Sequence, residues 1–120
     1  MEAPFTERLS ALLLAHHGQI YASFGTGEHL VELKAVMATV AADELQIFEQ
    51  IFADSTRALL QQAEANGEAA PSRVPVDADE WIAGLMFASV GAKIGTAPSC
   101  EAYADRLKAI ASVFAAAVTP

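Results

Sequence analysis

The last third of this 120-residue chain contains two segments that are apolar on more than one side of a helix. Residues 81–94 carry only two clearly polar side chains, Ser89 and Lys93. A helix that buries one face needs an apolar stripe only about 100° wide. Because a chain of this length covers one side of such helices, we expect a second copy to cover the other. The matching segment 103–118 has apolar side chains three and four positions apart, at Tyr103, Leu107, Ile110, Phe114 and Val118.

The composition is consistent either with a membrane protein or with a domain that has a large subunit interface. Apolar residues make up 53% of the chain, and the mean hydropathy is +0.31. The apolar segment 81–92 is shorter than the roughly 20 residues needed to cross a bilayer. The longest uncharged stretch, 9–27, is interrupted by two histidines, Gln19 and Ser23. We therefore predict no membrane span and favour the subunit interface.

The N-terminal segment and the cysteine count indicate a cytoplasmic protein. The chain begins with Glu2, Glu7 and Arg8 among its first eight residues, whereas a secretion signal begins with a basic segment. Cys100 is the only cysteine, so the chain forms no internal disulfide. A free cysteine of this kind is typical of a reducing compartment.

The charge pattern argues against nucleic-acid binding by these residues. The net charge is −8, and the seven basic residues are scattered along the sequence. DNA binding depends on clustered lysines and arginines that neutralise phosphates. We therefore expect duplex DNA to be repelled.

The hydrophobic periodicity predicts one all-α domain over residues 1–120, with five helices. Pro4 suits the first turn of a helix, and Gly67 is a natural left-handed cap at the end of the third helix. Asp43 and Asp77 each begin a pattern that resembles a capping box. The predicted helices span residues 4–24, 28–41, 43–66, 77–94 and 99–118.

The sequence predicts no metal site, no cofactor and no enzyme activity. A di-iron site in a helical bundle needs paired Glu-x-x-His motifs, and no glutamate here has a histidine three residues later. His29 and Glu32, with Glu28 beside them, are typical of an exposed helix face. Nucleophile-elbow, phosphate-loop and dinucleotide-binding motifs are also absent from the sequence.

His16 and His17 are the most informative polar pair. Neighbouring residues on a helix point about 100° apart, and His16 falls on the apolar stripe that contains Leu9, Leu13 and Ile20. A histidine on such a stripe is either a core or interface residue bonded to a backbone carbonyl, or the polar group of a ligand pocket. Catalytic use has the least support, because no nucleophile motif accompanies the pair.

Large aromatic and methionine side chains come from each of the first four predicted helices. Such side chains either fill a plain core or line an apolar pocket that has a few polar anchors. The candidate ligand-binding residues are His16, Ile20, Tyr21, Phe24, Met37, Phe48, Phe52, Trp81 and Phe87.

Small residues recur along the predicted helix 77–94. Each glycine inside a helix costs about 1 kcal/mol relative to alanine, and close approach of a facing helix would offset that cost. The facing helix is either the last helix of the same chain or, in addition, the symmetric helices of a second copy, which would form a four-helix interface. The candidate interface residues are Gly84, Ala88, Gly91, Tyr103, Leu107, Ile110 and Phe114.

Several stretches resemble the ligand-binding domain of TetR-type transcriptional regulators. The similar stretches are IFEQIF at 47–52, RALL at 57–60 and AEANGE at 63–68. The opening helix, with Glu7-Arg8-Leu9, is also similar. A proline-containing loop, an Asp-led helix from Asp77 and a closing helix follow in the family's order, the last with Tyr103, Arg106, Leu107, Ile110 and Phe114.

The resemblance implies a domain that dimerises through its last two helices and holds a small effector between the others. The family's basic helix-turn-helix unit is not among these 120 residues. We therefore expect a homodimeric effector-binding domain, with a small apolar or aromatic ligand and without DNA binding of its own. The alternatives are a helical adaptor whose apolar surfaces bind another protein and, with least support, a small enzyme that uses His16 or His17.

Overall fold

The computed structural model describes residues 3–19, 42–93 and 98–120, with the side chains of the second range described from position 46 onward. All regular structure in these ranges is helical, which confirms the predicted all-α class. A short 3-10 turn, Pro71–Arg73, lies in the loop that follows the second described helix. The helices are α1 at Phe5–Leu13, which continues into a π-helical turn at Leu14–Gly18, α2 at Ala42–Ala65, α3 at Ala78–Gly91 and α4 at Cys100–Ala117.

The observed helix bounds differ from the predicted ones mainly at the end of α3. The predicted helix 28–41 and residues 20–24 of the first predicted helix lie outside the described residues. Helix α3 ends at Gly91, before the predicted end at position 94. The Arg106 Nη1 atom donates a hydrogen bond to the Ala92 carbonyl oxygen at 2.5 Å. A side chain of α4 therefore satisfies a carbonyl that another helical turn would otherwise have bonded.

The four helices form a bundle in which α4 contacts both α1 and α3, and α2 contacts both α1 and α3. Helices α3 and α4 run in opposite directions. The Tyr103 hydroxyl donates to the Ser89 carbonyl oxygen at 2.6 Å near one end of the pair. The rings of Trp81 and Phe114 meet edge to face, 5.8 Å apart, near the other. The larger buried apolar side chains are Phe5, Leu9, Leu13, Phe52, Leu60, Trp81, Ile82, Leu85, Tyr103, Leu107 and Val118.

Short-range signals fix the ends of three helices. Gly67 has a φ of 77°, which confirms the predicted left-handed cap after α2. The Asp77 carboxylate accepts a hydrogen bond from the Glu80 N–H at 2.8 Å, as the predicted N-cap of α3. The Ser99 hydroxyl oxygen accepts from the Ala102 N–H at 3.1 Å and caps α4 in the same way. Within the described residues, no helix is both long and apolar enough to span a lipid bilayer.

Glu68, just beyond Gly67, connects the end of α2 to the start of α1. Pro4 precedes α1 and provides no side-chain cap. The Glu68 Oε2 atom instead accepts a hydrogen bond from the Phe5 N–H at 3.0 Å. The Glu68 Oε1 atom forms a short ion pair with Arg8, whose Nη1 atom also donates to Gln62 at 2.9 Å. One carboxylate therefore caps α1 and joins it to α2.

Replacing Glu68 with alanine should destabilise the domain by about 1–3 kcal/mol, since the change leaves Arg8 and the first N–H of α1 without their carboxylate. Urea denaturation of the variant measures the change in the free energy of unfolding. The control is Glu64→Ala, an exposed position on α2, where we expect a change within about 0.5 kcal/mol. Equal effects of the two substitutions would contradict the proposed role of Glu68.

Candidate ligand-binding site

The π-helical turn at Leu14–Gly18 decides which of the two histidines is buried. The buried side chains of this first segment are Phe5, Leu9, Leu13 and His17, at a strict spacing of four residues. A straight α-helix with 3.6 residues per turn would drift away from that spacing. A π turn adds residues to the turn and compensates for the drift. His17 therefore occupies the buried position that the sequence pattern assigned to His16, and His16 is half-buried.

Both histidines face two phenylalanines of α2. The ring centroids of His17 and Phe52 are 4.7 Å apart, and those of His17 and Phe48 are 6.0 Å apart, both edge to face. The corresponding distances from His16 are 5.7 Å and 5.6 Å. The structure therefore brings together three of the predicted ligand-binding residues, His16, Phe48 and Phe52, and adds His17 to them.

A cavity of about 210 Å³ opens beside this aromatic cluster. Its buried end contains His17 and Phe52, and its exposed end contains Glu49 and Val90. The cavity lies between the π turn, α2 and the second half of α3. Its described lining residues are His17, Phe48, Glu49, Phe52, Met86, Val90 and Lys93. We call it the His17 cavity.

The electrostatics of the His17 cavity keep His17 neutral at physiological pH. Burial, together with the smaller effects of the positive charges of Lys93 and His16, lowers the pKa of His17 to about 4. Burial also lowers the pKa of His16. A neutral imidazole has one nitrogen that donates a hydrogen bond and one that accepts.

The His17 Nε2 atom is buried and has no hydrogen-bond partner. The same holds for the buried Trp81 Nε1 atom, which does not belong to this cavity, whereas the Thr56 hydroxyl donates to the Phe52 carbonyl and the Ser89 hydroxyl to the Leu85 carbonyl. Leaving a buried polar atom unpaired costs about 1–3 kcal/mol. Burial of the unpaired Nε2 atom therefore has a cost in stability, which the packing of the imidazole against Phe48 and Phe52 offsets.

The remaining predicted pocket residues are not at this cavity or lie outside the described residues. Trp81 is buried against Phe114 and does not line the His17 cavity. Phe87 is 67% exposed, on the outer side of α3. The residues outside the described part of the chain are Ile20, Tyr21, Phe24 and Met37.

The predicted interface residues divide between the interior and the surface of the single chain. Tyr103 and Leu107 are buried within it, at 1% and 0% exposure. Gly91 is exposed, and a Cβ atom built there would have nothing within 4 Å. At Gly84, by contrast, a Cβ atom would lie 3.5 Å from the Phe114 ring. Ala88, Ile110 and Phe114 are half-buried.

Sequence reasoning missed four lining residues, Glu49, Met86, Val90 and Lys93, and placed His16 where His17 lies. One signal for His17 was present, namely the strict four-residue spacing from Phe5. A signal for Lys93 was also present, because it is the single charged side chain of an otherwise apolar segment. Glu49 had no such signal, since charged residues are ordinary on the exposed side of a helix.

Metal binding receives no support from the described part of the chain, where no group of three or more His, Cys, Asp or Glu side chains has the arrangement of a metal site. His29 and Glu32 lie outside the described residues. Comparison with models of known protein families, with curated proteins and with solved structures finds no match to this chain. The functional inference therefore depends on the chemistry of the His17 cavity and on the exposed surfaces of the bundle.

The low pKa of His17 predicts a specific pH dependence of stability. Between pH 6.5 and about 4 the unfolded chain binds a proton at this residue that the folded chain does not. Stability is therefore fully present above pH 6.5 and falls as the pH decreases toward 4, by about 2 kcal/mol from this residue at pH 5. His17→Phe should remove that part of the loss, as measured by urea denaturation at pH 7 and pH 5.

The matched control is His16→Phe at the same two pH values. Carboxylates that titrate near pH 5 contribute equally to the wild type and to both variants, so the differences between proteins isolate the histidines. We expect the His16 variant to retain most of the wild-type loss. If His17→Phe loses as much stability between pH 7 and pH 5 as the wild type does, His17 is protonated in the folded wild-type protein.

Proposed function

We propose that the chain is the effector-binding and dimerisation domain of a TetR-type transcriptional regulator, which binds a small apolar or aromatic molecule and does not bind DNA by itself. The observation that carries the proposal is an exposed apolar surface on the last two helices. We call this surface the α3–α4 face and define it by Phe87 and Gly91 of α3 together with Ile110, Val113 and Phe114 of α4.

The α3–α4 face is apolar, and the described residues cover Ile110 and Phe114 only in part. Phe87 and Val113 are each 67% exposed. Residues three, four and seven positions apart lie on the same side of a helix, so Gly84, Phe87 and Gly91 share one side of α3. The contact between Gly84 and the Phe114 ring joins this side to the side of α4 that carries Val113. When exposed apolar side chains adjoin one another, they are typical of a protein–protein interface, and the proposal is that Phe87 and Val113 do so.

In this proposal a second copy of the chain covers the surface. Residues from the same two helices form the face, and a two-fold axis through it would place α3 and α4 against their own copies in a four-helix arrangement. Gly91, the last residue of α3, leaves room for a close crossing, because a Cβ atom built there would have no described residue within 4 Å.

The His17 cavity is the effector site in this proposal. It lies between the π turn, α2 and α3, and α3 also contributes Phe87 and Gly91 to the α3–α4 face. A ligand that changes the position of α3 would therefore act on the interface directly. Such coupling requires that the ligand bind two states of the domain with different affinities.

The net charge of the domain supports the proposal that a separate unit, and not these residues, binds DNA. At a net charge of −8 the 120 residues have no basic surface with which to neutralise phosphates. We expect no salt-dependent binding to duplex DNA by this chain. A DNA association constant whose logarithm falls steeply with the logarithm of salt concentration would contradict the proposal.

Val113→Glu tests the assembly. We expect the wild-type chain to be a dimer at micromolar concentration, and we expect the glutamate to raise the dimer dissociation constant by about a hundredfold or more, since it would bury a charge in an apolar contact. Sedimentation equilibrium measures both quantities. The control is Ile47→Glu, which places the same charge at a 59% exposed apolar position on α2.

The Ile47→Glu control should have the same dimer dissociation constant as the wild type. A wild-type monomer at micromolar concentration would refute the dimer and leave the α3–α4 face as a docking surface for another protein, which is the adaptor alternative. If Ile47→Glu disrupts the dimer and Val113→Glu does not, the interface lies on α2.

Gly91→Leu tests the close crossing separately. A Cβ atom at this position, the last residue of α3, has no described residue within 4 Å, and the position is exposed. The monomer should therefore not be destabilised, whereas the dimer contact should weaken by about 1–3 kcal/mol from overpacking. The control is Ala58→Leu on the exposed side of α2. A dissociation constant that is unchanged by Gly91→Leu would show that no helix crosses at Gly91.

A further inference from the structure

We propose that the first helical segment has a second register, in which the π turn at Leu14–Gly18 becomes an ordinary α-helical turn and His16 replaces His17 in the buried position. We call this change the register switch. It goes beyond the proposed function and does not depend on it, because it concerns the helix of a single chain.

The helical period of the sequence fits the second register. Phe5, Leu9 and Leu13 form the buried line of α1. At 3.6 residues per turn, the next residue on that line is His16. The π turn holds one extra residue and brings His17 to the line instead. Each of the two registers therefore places one histidine of the pair in the core.

One backbone hydrogen bond distinguishes the two registers. The Gln19 N–H donates to the Leu14 carbonyl oxygen, five residues earlier, as a π turn requires. In an α-helix the same N–H would donate to the Ala15 carbonyl oxygen, four residues earlier. The switch therefore exchanges one acceptor for its neighbour and leaves the N–H bonded in both states.

Both histidines already lie against the same two side chains of α2. The ring centroid of His17 is 6.0 Å from that of Phe48 and 4.7 Å from that of Phe52. The corresponding distances from His16 are 5.6 Å and 5.7 Å. Because the two side chains are identical in volume and chemistry, their exchange keeps the volume of the buried side chain, which packed cores tolerate best. The wall of the His17 cavity keeps a histidine in either register.

The place that His17 takes in the second register is that of Gly18, one position further along the helix. Gly18 is half-buried. A Cβ atom built there would lie 3.6 Å from Leu14 Cδ2 and 3.7 Å from Leu107 Cδ1, both ordinary van der Waals contacts. The backbone position therefore accepts a Cβ atom without moving its neighbours.

The start of α1 is held in place, so the movement falls on the residues after Leu13. The Glu68 carboxylate accepts a hydrogen bond from the Phe5 N–H, and Leu13 is fully buried. A shift of one residue turns Gln19 by about 100° and moves it about 1.5 Å along the axis relative to α1. A ligand in the His17 cavity that bound one register more tightly would shift the populations of both.

Leucine at either histidine position should select one register, since a buried leucine leaves no polar atom unpaired, whereas the buried imidazole does. We expect His16→Leu to adopt the α-helical turn and the matched variant His17→Leu to keep the π turn. NMR scalar couplings across hydrogen bonds identify the acceptor of the Gln19 N–H. The coupling should run to the Ala15 carbonyl in His16→Leu and to the Leu14 carbonyl in His17→Leu.

Relaxation dispersion on the wild-type protein tests the switch without any substitution. Helix register shifts occur in microseconds to milliseconds, and we expect exchange at residues 15–19 with a minor population of about 1–10%. The chemical shifts of the minor state should match those of His16→Leu. Deletion of Ala15 removes the extra residue and makes the bond between Gln19 and Leu14 an α-helical one, so the exchange should disappear.

Three results would each overturn the proposal: a Leu14–Gln19 coupling retained in His16→Leu, no exchange at residues 15–19 of the wild type, or exchange that persists after deletion of Ala15. NOEs between the Trp81 and Phe114 rings, retained in each variant, show that the bundle is intact. A dimer without the exchange contradicts this inference alone, whereas a monomer with it contradicts the proposed function alone.

Discussion

Helix α4 buries one apolar face and exposes Val113 on the other side, and the rest of the structure depends on how these two sides are covered. One face, with Tyr103, Leu107 and Ala111, is buried against α1 and α3. Burial of apolar surface stabilises a protein by about 25 cal/mol per Å², so this face holds the bundle together. The opposite side carries Val113, which remains 67% exposed. The same driving force that folds the chain would favour covering this side, and in the proposed assembly the exposed Gly91 of α3 is where a partner helix would approach most closely.

The His17 cavity depends on a local departure from ordinary helix geometry. The π turn at Leu14–Gly18 rotates His17 into the line of Phe5, Leu9 and Leu13, and the buried imidazole then lies edge to face with Phe52. Burial lowers its pKa to about 4, so the residue enters the core without a charge. The Nε2 atom of the imidazole is buried without a hydrogen-bond partner. π turns are frequent at functional sites, and here the turn has the direct effect of placing a histidine among the residues that line the cavity.

Local signals in the sequence predicted local structure well. The left-handed cap at Gly67 and the N-cap at Asp77 depend on residues a few positions apart, and both are confirmed. The sequence pattern did not predict that His17, and not His16, is the buried histidine. Helical periodicity assumes 3.6 residues per turn, and a π turn changes that number. The orientation of α4 was not predicted either. When two faces of a helix are both apolar, the pattern does not indicate that Leu107 faces the interior and Val113 the surface.

The central claim is that a second copy of the chain covers the α3–α4 face. Isotope-filtered NMR tests it most directly, on a mixture of chains with ¹³C-labelled methyl groups and unlabelled chains, since only contacts between different copies give a signal in that experiment. The account predicts intermolecular NOEs from the Val113 methyl groups to protons of α3 or α4 in the other copy, including the Phe87 ring. Intermolecular NOEs from Ile47 or Ile51 of α2 without any from Val113, or no intermolecular NOE at millimolar concentration, would contradict it.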